Sequence, residues 1–324
     1  MTQEEQPLVS VVTPVYNGET YISQAINSVL AQDYQNWELI ILDNNSDDGT
    51  LGIVQEFAKR EPRIQVHTNP ETLSQMDNWN RSMSLISRDS KYCKVIHADD
   101  WLFPGCLSEM VRLAMENPSV ALVSAYRLEE ESVTLDGLPF PSTCVPGREL
   151  LRQRFLGGAD YFGSPSSVMY RSDQVLGRKE FFNAANLHAD TEICYEILLQ
   201  NDFGFVHQVL TFTRRHNETT STYAKRMQTY MPSHLMMLKK YGPEVLDEQE
   251  LQQVISERLK NYYRFLGYWL LQCRRAENRS YWSEFWAYHK KALDELGFGL
   301  NVSRVITSSG FAFYKALLSK LHLA

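Results

Sequence analysis

The sequence predicts an α/β fold with a mostly parallel, Rossmann-like central sheet flanked by helices, and a helical extension at the C-terminus. Three observations lead to this class. Short apolar runs rich in β-branched residues alternate with segments of helical periodicity through the first half of the 324 residues. Polar residues directly follow several of these runs. Beyond residue 223, the spacing of apolar residues is helical and no strand pattern recurs.

The predicted strands are apolar runs of strand length, at residues 8–15, 37–42, 63–67, 92–97, 119–126, 163–170 and 205–212. The predicted helices carry apolar residues three and four positions apart, at residues 19–31, 50–59, 73–87, 106–116, 147–155 and 188–199. In the first of these helices, Ile22, Ile26 and Val29 fall on one face. Residues 127–147 contain Pro139, Pro141 and Pro146, which predicts a loop.

The alternating order of strands and helices implies parallel strands joined by right-handed crossovers. Ligands of such open sheets bind beyond the carboxyl ends of the strands. Six polar or aromatic residues fall at those ends, namely Tyr16, Asn17, Asp43, Asn44, Asp99 and Asp100. The sequence therefore predicts a ligand site at this edge of the sheet.

The charge of the chain is unevenly distributed. The formal net charge of −7 argues against a protein that binds nucleic acid through basic patches. Residues 226–324 nevertheless contain 14 Lys and Arg against 9 Asp and Glu. We predict a catalytic domain at 1–225 and a helical region at 226–324. The basic, aromatic helices of that region suit a membrane surface, a homodimer or simple packing, and the sequence leaves these alternatives open.

The cysteines and the N-terminus bear on the compartment. The five cysteines form no C-x-x-C pair, and their number is odd, which indicates reduced thiols. The first ten residues are polar and acidic, unlike a signal peptide. The longest apolar stretch, residues 265–271, is too short to span a bilayer. We expect a cytoplasmic protein, with peripheral contact at the inner face of the membrane as the alternative for its basic tail.

Three segments carry a family resemblance. Residues 13–50 hold TPVYNG, an S-x-x-x-Q-x-Y-x-N-x-E spacing and a D-x-x-S-x-D-x-T turn. Residues 94–107 hold KVIHADDWLFPGCL, and residues 164–216 hold S-x-x-x-x-R, HADTE and RRH. Together these segments resemble the family 2 glycosyltransferases over roughly residues 8–220. The resemblance implies the GT-A fold and a nucleotide-diphosphate sugar, most often a UDP-sugar, as donor.

By resemblance, the following residues would bind the donor: Pro14, Val15, Tyr16, Asn17, Glu19, Asp43, Asn44, Asn80, Asp99 and Arg215. Asp43 and Asn44 would recognise the base, although Asp and Asn also favour turns by bonding nearby backbone. Relatives commonly have Asp at the position of Asn44, and the amide adds a donor, so the identity of the base stays open. Asn80 suits either a nucleotide contact or a surface or helix-cap role.

The resemblance also implies a divalent cation, Mn²⁺ or Mg²⁺, bound by Asp99, Asp100 and His216. Adjacent carboxylates repel each other, and a cation that bridges two phosphates relieves this repulsion. Capping of the next helix is the simpler alternative for the pair. Many relatives have Asp at the position of His97, for which a structural role is expected here.

Asp190 matches the position of the family's general base, a carboxylate that accepts the acceptor's hydroxyl proton in an inverting transfer. Asp is also common at helix starts, which is the structural alternative, and Glu192 is the fallback base.

The leading hypothesis is therefore a metal-dependent, inverting glycosyltransferase acting on a polysaccharide or lipid-linked glycan. A nucleotide-sugar-binding module without catalysis is the first alternative. A nucleotidyltransferase is the second, but the turn from Tyr16 to Glu19 lacks the glycine-rich, basic loop that grips a triphosphate.

Overall fold

The computed structural model describes residues 6–215, 220–273 and 279–309. The chain divides into two compact units, one ending at residue 216 and the other beginning at residue 217. The sequence places this boundary after residue 225, which lies inside a helix of the second unit.

The first unit is built on a sheet of ten strands. The strands are β1 (Val9–Val15), β2 (Trp37–Asp43), β3 (Ile64–Thr68), β4 (Tyr92–Val95), β5 (Trp101–Leu102), β6 (Val120–Glu129), β7 (Ser132–Thr134), β8 (Cys144–Val145), β9 (Met169–Arg171) and β10 (Asp202–Thr213). Their order is β3-β2-β1-β4-β9-β6-β10-β5, with β7 beside β6 and β8 beside β10. Strands β3, β2, β1 and β4 pair in parallel, as do β6 and β10, whereas β9 is antiparallel to β4 and β6. The predicted α/β class with a mostly parallel sheet is confirmed.

Seven helices accompany this sheet within the described residues: α1 (Ile22–Leu30), α2 (Thr50–Arg60), α3 (Gln75–Met83), α4 (Cys106–Glu116), α5 (Gly147–Phe155), α6 (Asp173–Leu176) and α7 (Ala189–Leu198). Every residue of β1 is buried, so this strand lies at the centre of the core. Ile22 and Ile26 of α1 pack into the same core as Leu107 of α4. The apolar stripes that predict these helices are therefore the faces they bury.

The segment predicted as a loop, residues 127–147, differs from the expectation. Strand β6 continues to Glu129, and the short strands β7 and β8 pair at the edges of β6 and β10. Runs of two or three residues are too short to show an alternating pattern, so the prolines dominate the prediction. The strand predicted at 163–170 is also shorter, because Pro165–Ser167 forms a 3₁₀ turn before β9.

The second unit is helical, as the sequence predicts. Its helices are α8 (Thr220–Met227), α9 (Tyr230–Tyr241), α10 (Glu248–Cys273) and α11 (Arg279–Glu295). Tyr262 and Leu266 of α10 pack with Phe285 and Leu293 of α11 in a separate aromatic core. Among the described residues, no helix has both the length and the apolar composition needed to cross a bilayer.

Candidate active site

The polar strand ends meet at one edge of the sheet. The last residue of β1, Val15, pairs with Asp43 at the end of β2, and β4 lies on the other side of β1. The turn after β4 carries His97, Asp99 and Asp100 at this same edge. The parallel pairing therefore brings together side chains that are distant in sequence, as expected for this sheet type.

His97, Asp99 and Asp100 form a compact cluster, since each offers one ligand atom and these atoms lie within 4.8 Å of one another. Asp100 is only 2% exposed, and its Oδ2 lies 3.8 Å from His97 Nδ1. Burial and the neighbouring Asp99 raise the pKa of Asp100 to about 7. Asp100 Oδ2 and His97 Nε2 are both buried and lack a hydrogen-bond partner. A divalent cation would satisfy these atoms, so the residues present fit a metal site.

His97 belongs to this cluster, although the sequence predicts a structural role for it. Burial lowers the pKa of its imidazole, which favours the neutral form that can ligate a metal. The ring of Trp79 lies 4.7 Å from the His97 ring, and Phe182 packs edge-on against Trp79. These aromatic contacts fix the orientation of the imidazole beside Asp99 and Asp100.

Asp190 lies in the first turn of α7 and interacts electrostatically with His97. Its Oδ1 accepts a hydrogen bond from Thr191 N–H at 2.8 Å, and burial raises its pKa to about 6. Glu192 is held differently, because its Oε2 accepts bonds from the side chains of Asn183 (2.9 Å) and Asn186 (2.8 Å). Of the two predicted bases, Asp190 is thus the one associated with the His97 cluster.

The ends of β1 and β2 form the second part of the site. Tyr16 is 51% exposed, so its ring is accessible from solvent. Asp43 is fully buried, with Oδ2 accepting from Ser46 N–H and Oδ1 lacking a partner. Asn17 Oδ1 accepts from Asp47 N–H, and the Glu19 carboxylate accepts from Gly49 N–H at 2.7 Å. Pro14 and Val15 are buried in β1, where they position the Tyr16 backbone.

The family model for glycosyl transferase family 2 matches residues 10–175, just over half of the chain. The chain belongs to this family. A putative teichuronic acid biosynthesis glycosyltransferase of Bacillus subtilis, TuaG, is 32% identical over 41% of this chain and 51% of its own length. A GalNAc(5)-diNAcBac-PP-undecaprenol beta-1,3-glucosyltransferase of Campylobacter jejuni is 32% identical over 34% of this chain and 35% of its own length. The matches thus span about half or less of these curated relatives.

Solved structures share the fold. S. aureus TarS 1-349, in complex with UDP-GlcNAc, gives a TM-score of 0.65 at 19% identity, covering 89% of this chain and 80% of TarS 1-349. The Pyrobaculum calidifontis mannosyltransferase PcManGT, in complex with GDP-Man and Mn²⁺, gives 0.55 at 13% identity and covers 97% and 89% of the two chains. The likeness supports the GT-A fold of this family 2 glycosyltransferase.

The side-chain amides of two asparagines in the predicted donor site form hydrogen bonds with other parts of the chain. Asn44 is 4% exposed, donates to Leu73 O at 3.0 Å and accepts from Leu73 N–H and the Asn69 amide. Asn80 donates to Phe182 O at 2.7 Å and accepts from Phe181 N–H and Phe182 N–H. A direct contact of either amide with a nucleotide would require these bonds to break. Both amides bond neighbouring loops of the chain, and their contact with a donor stays a prediction.

We expect Asn44→Asp to destabilise the protein by about 2 kcal/mol, even though relatives commonly have Asp here. The substitution removes the amide donor to Leu73 O and places a carboxylate in a buried setting, each of which is costly. Urea unfolding at pH 7.5 measures the effect, with the exposed Asn45→Asp as the matched control. A gain in UDP affinity at unchanged stability would instead support Asn44 as a direct base reader.

The two arginines after β10 have different surroundings. Arg215 forms an ion pair with Glu129, and its N–H donates to Glu130. Arg214 N–H donates to Asp100 Oδ1 at 3.0 Å, and its Nε donates to Asp99 O at 3.3 Å. Arg214 thus bonds both members of the acidic pair, whereas Arg215 stays a predicted donor contact. His216, the predicted third ligand, lies outside the described residues.

Proposed function

We propose that this chain transfers a sugar from a nucleotide-diphosphate donor, with a UDP-sugar as the first choice, to a hydroxyl acceptor. The observation that carries the proposal is the association of Asp190 with the cluster of His97, Asp99 and Asp100 at the carboxyl edge of the sheet. The membership in glycosyltransferase family 2 supports it, as do fold neighbours in complex with UDP-GlcNAc and GDP-Man.

A divalent cation, Mn²⁺ or Mg²⁺, fits the unpartnered atoms of His97 and Asp100, with Asp99 beside them. When bound, such an ion neutralises the charge that develops on a diphosphate leaving group. His216 remains a proposed additional ligand and Arg215 a proposed phosphate contact. Tyr16 and Asp43 would hold the base, while Asn17 and Glu19 brace the turn beside it.

In the chemical step, Asp190 accepts the proton of the acceptor's hydroxyl group. The acceptor oxygen forms a bond to C1 of the sugar as the bond between C1 and the phosphate oxygen breaks, and the electron pair leaves with the nucleotide diphosphate. Attack from the opposite face inverts C1. The raised pKa of Asp190 suits this role, because a base whose pKa lies near the working pH both exists ionised and accepts a proton readily.

We infer that the acceptor is a polysaccharide or a lipid-linked glycan, since relatives are named for teichuronic acid biosynthesis and for an undecaprenol-linked substrate. Such an acceptor suits an enzyme in the cytoplasm at the inner face of the membrane. The excess of Lys and Arg in residues 226–324 suits contact with anionic lipid, and a homodimer through this unit is the alternative.

A thermal-shift screen of UDP-, GDP-, dTDP- and CMP-sugars, with and without Mn²⁺, tests the proposal. We expect a UDP-sugar with Mn²⁺ to stabilise the protein most, because a ligand at 100 times its Kd adds about 2.7 kcal/mol. The screen is followed by an assay of UDP release with and without glycan acceptors. Stabilisation by no donor would contradict the proposed donor site, and donor binding without any UDP release would favour a binding module without catalysis.

A further inference from the structure

Lys94 is a charged residue at the centre of the sheet. It lies on β4, it is 0% exposed, and its ammonium group donates to the backbone carbonyls of Ser166 and, at 3.1 Å, Val168. Burial lowers the pKa of this amine to about 8. Burying an ammonium group is costly unless it is hydrogen-bonded, and here two backbone carbonyls accept its bonds. The consequence of Lys94 is therefore to be found in the segment that it holds.

That segment is the 3₁₀ turn Pro165–Ser167, which contacts the His97 backbone through Ser166. Ser166 is fully buried, and its hydroxyl accepts a hydrogen bond from the backbone N–H of His97 at 3.1 Å. The same hydroxyl bonds the Asp100 carboxylate, and this bond opposes the rise that burial causes in the pKa of Asp100. Ser166 thus touches two members of the cluster through its side chain, and it is tied to Lys94 through its carbonyl.

A second set of bonds restricts how Asp100 can turn. Arg214 N–H binds Asp100 Oδ1, while Oδ2 is left without a partner and lies on the His97 side. The turn has further contacts of its own: Ser167 N–H donates to Ser164 O at 2.8 Å, and Ser124 Oγ donates to Ser167 O at 3.4 Å. Unlike these contacts, the Lys94 ammonium bonds the carbonyl of Ser166 itself, the residue whose hydroxyl reaches His97 and Asp100.

We propose that Lys94 is a positioning residue for the metal–diphosphate site: it fixes the Pro165–Ser167 turn, so that Ser166 holds His97 and Asp100 in the orientation that binds the cation. The inference rests on the proposed function and deepens it. Residues behind metal ligands typically account for ten- to hundredfold in metal affinity when they are replaced. An effect of this size is expected although Lys94 touches neither the cation nor the donor.

The test is Lys94→Met, which keeps the unbranched side chain and removes the ammonium group. We expect the variant to fold with a lower thermal midpoint, because two buried carbonyls lose their donor, and to bind Mn²⁺ in the presence of UDP ten- to hundredfold more weakly by calorimetry. Lys91→Met is the matched control, because Lys91 is exposed in the same segment, and it should leave Mn²⁺ affinity unchanged. Wild-type affinity in a folded Lys94→Met protein would overturn the inference, even if its thermal midpoint were lower.

Ser166→Ala tests the same connection from the other side and keeps the backbone carbonyl that Lys94 binds. It should weaken Mn²⁺ binding by a similar factor, and the double variant should show less than the product of the two losses, because both act through one turn. The connection between Lys94 and Ser166 would be contradicted if the two losses of Mn²⁺ affinity multiplied in the double variant. It would also be contradicted if Ser166→Ala bound Mn²⁺ as the wild type does. Absence of Mn²⁺ binding in the wild type would instead refute the proposed metal site, and this inference with it.

Discussion

Asp190→Asn should lower kcat by about three orders of magnitude and change the KM for the donor by less than about threefold. General-base catalysis contributes 10²- to 10⁴-fold, and an amide of the same shape cannot accept the acceptor's proton. Asn keeps the oxygen that accepts the Thr191 N–H, so the start of α7 is preserved. Steady-state assays of UDP release with saturating acceptor measure both constants, and the split between kcat and KM separates loss of chemistry from loss of donor binding.

Stability gives an independent readout for the same variant. The pKa of Asp190 in the folded protein, about 6, lies above the ordinary value of 3.8, so ionisation of this carboxyl group destabilises the folded state as the pH rises through 6. At pH 8, Asp190→Asn should therefore be more stable than the wild type by about 1–2 kcal/mol, and this advantage should fade towards pH 4. An Asp that served only to start the helix would give the opposite sign, because its replacement would weaken α7.

Glu192→Gln is the matched control for the base. Because Asn183 and Asn186 already bind Glu192 Oε2, Gln can keep an oxygen in that place, and kcat should stay within about threefold of the wild type. If Glu192→Gln lost its activity while Asp190→Asn kept more than a tenth of the wild-type activity, Glu192 would be the base instead of Asp190.

The meeting of the polar strand ends at one edge was predictable because the sheet is parallel. Apolar strands followed at once by polar residues placed Asp43, Asp99 and Asp100 at one edge, and the register of β1 with β2 puts Asp43 there. What the side chains bind was harder to predict. The Asn44 amide is used by a residue 29 positions away, and the Asn80 amide by residues more than 100 positions away. The periodicity of a sequence predicts one helix or strand at a time. It therefore cannot predict which distant loop a side chain contacts.

The choice between Arg214 and Arg215 shows a second limit. The resemblance selects Arg215 from the RRH motif as a donor contact. Both arginines follow the last residue of β10, and Arg214 reaches Asp100 through its backbone N–H. That bond depends on the path of the chain after the strand, which the motif does not describe.

Asp100→Asn is expected to lower kcat/KM for the donor by at least about 10³-fold and to abolish the stabilisation of the donor complex by Mn²⁺. A cation at a diphosphate leaving group supplies several kcal/mol of transition-state stabilisation, and each 1.36 kcal/mol corresponds to a factor of ten. The amide can keep the bond to Arg214 N–H through one oxygen, but it presents an NH₂ group where Asp100 now has the unpartnered Oδ2. An NH₂ group has no lone pair suited to a hard divalent cation.

Thermal shifts with UDP, with Mn²⁺ and with both together separate this loss from general misfolding. The Asp100→Asn protein should respond to UDP alone as the wild type does and gain nothing when Mn²⁺ is added. Asp89→Asn, an exposed carboxylate ahead of β4, should retain the full Mn²⁺ response. Full transferase activity of Asp100→Asn at saturating Mn²⁺ would contradict the metal assignment. The unpartnered Oδ2 would then need another ligand, because a buried carboxylate oxygen without a partner is costly in the folded protein.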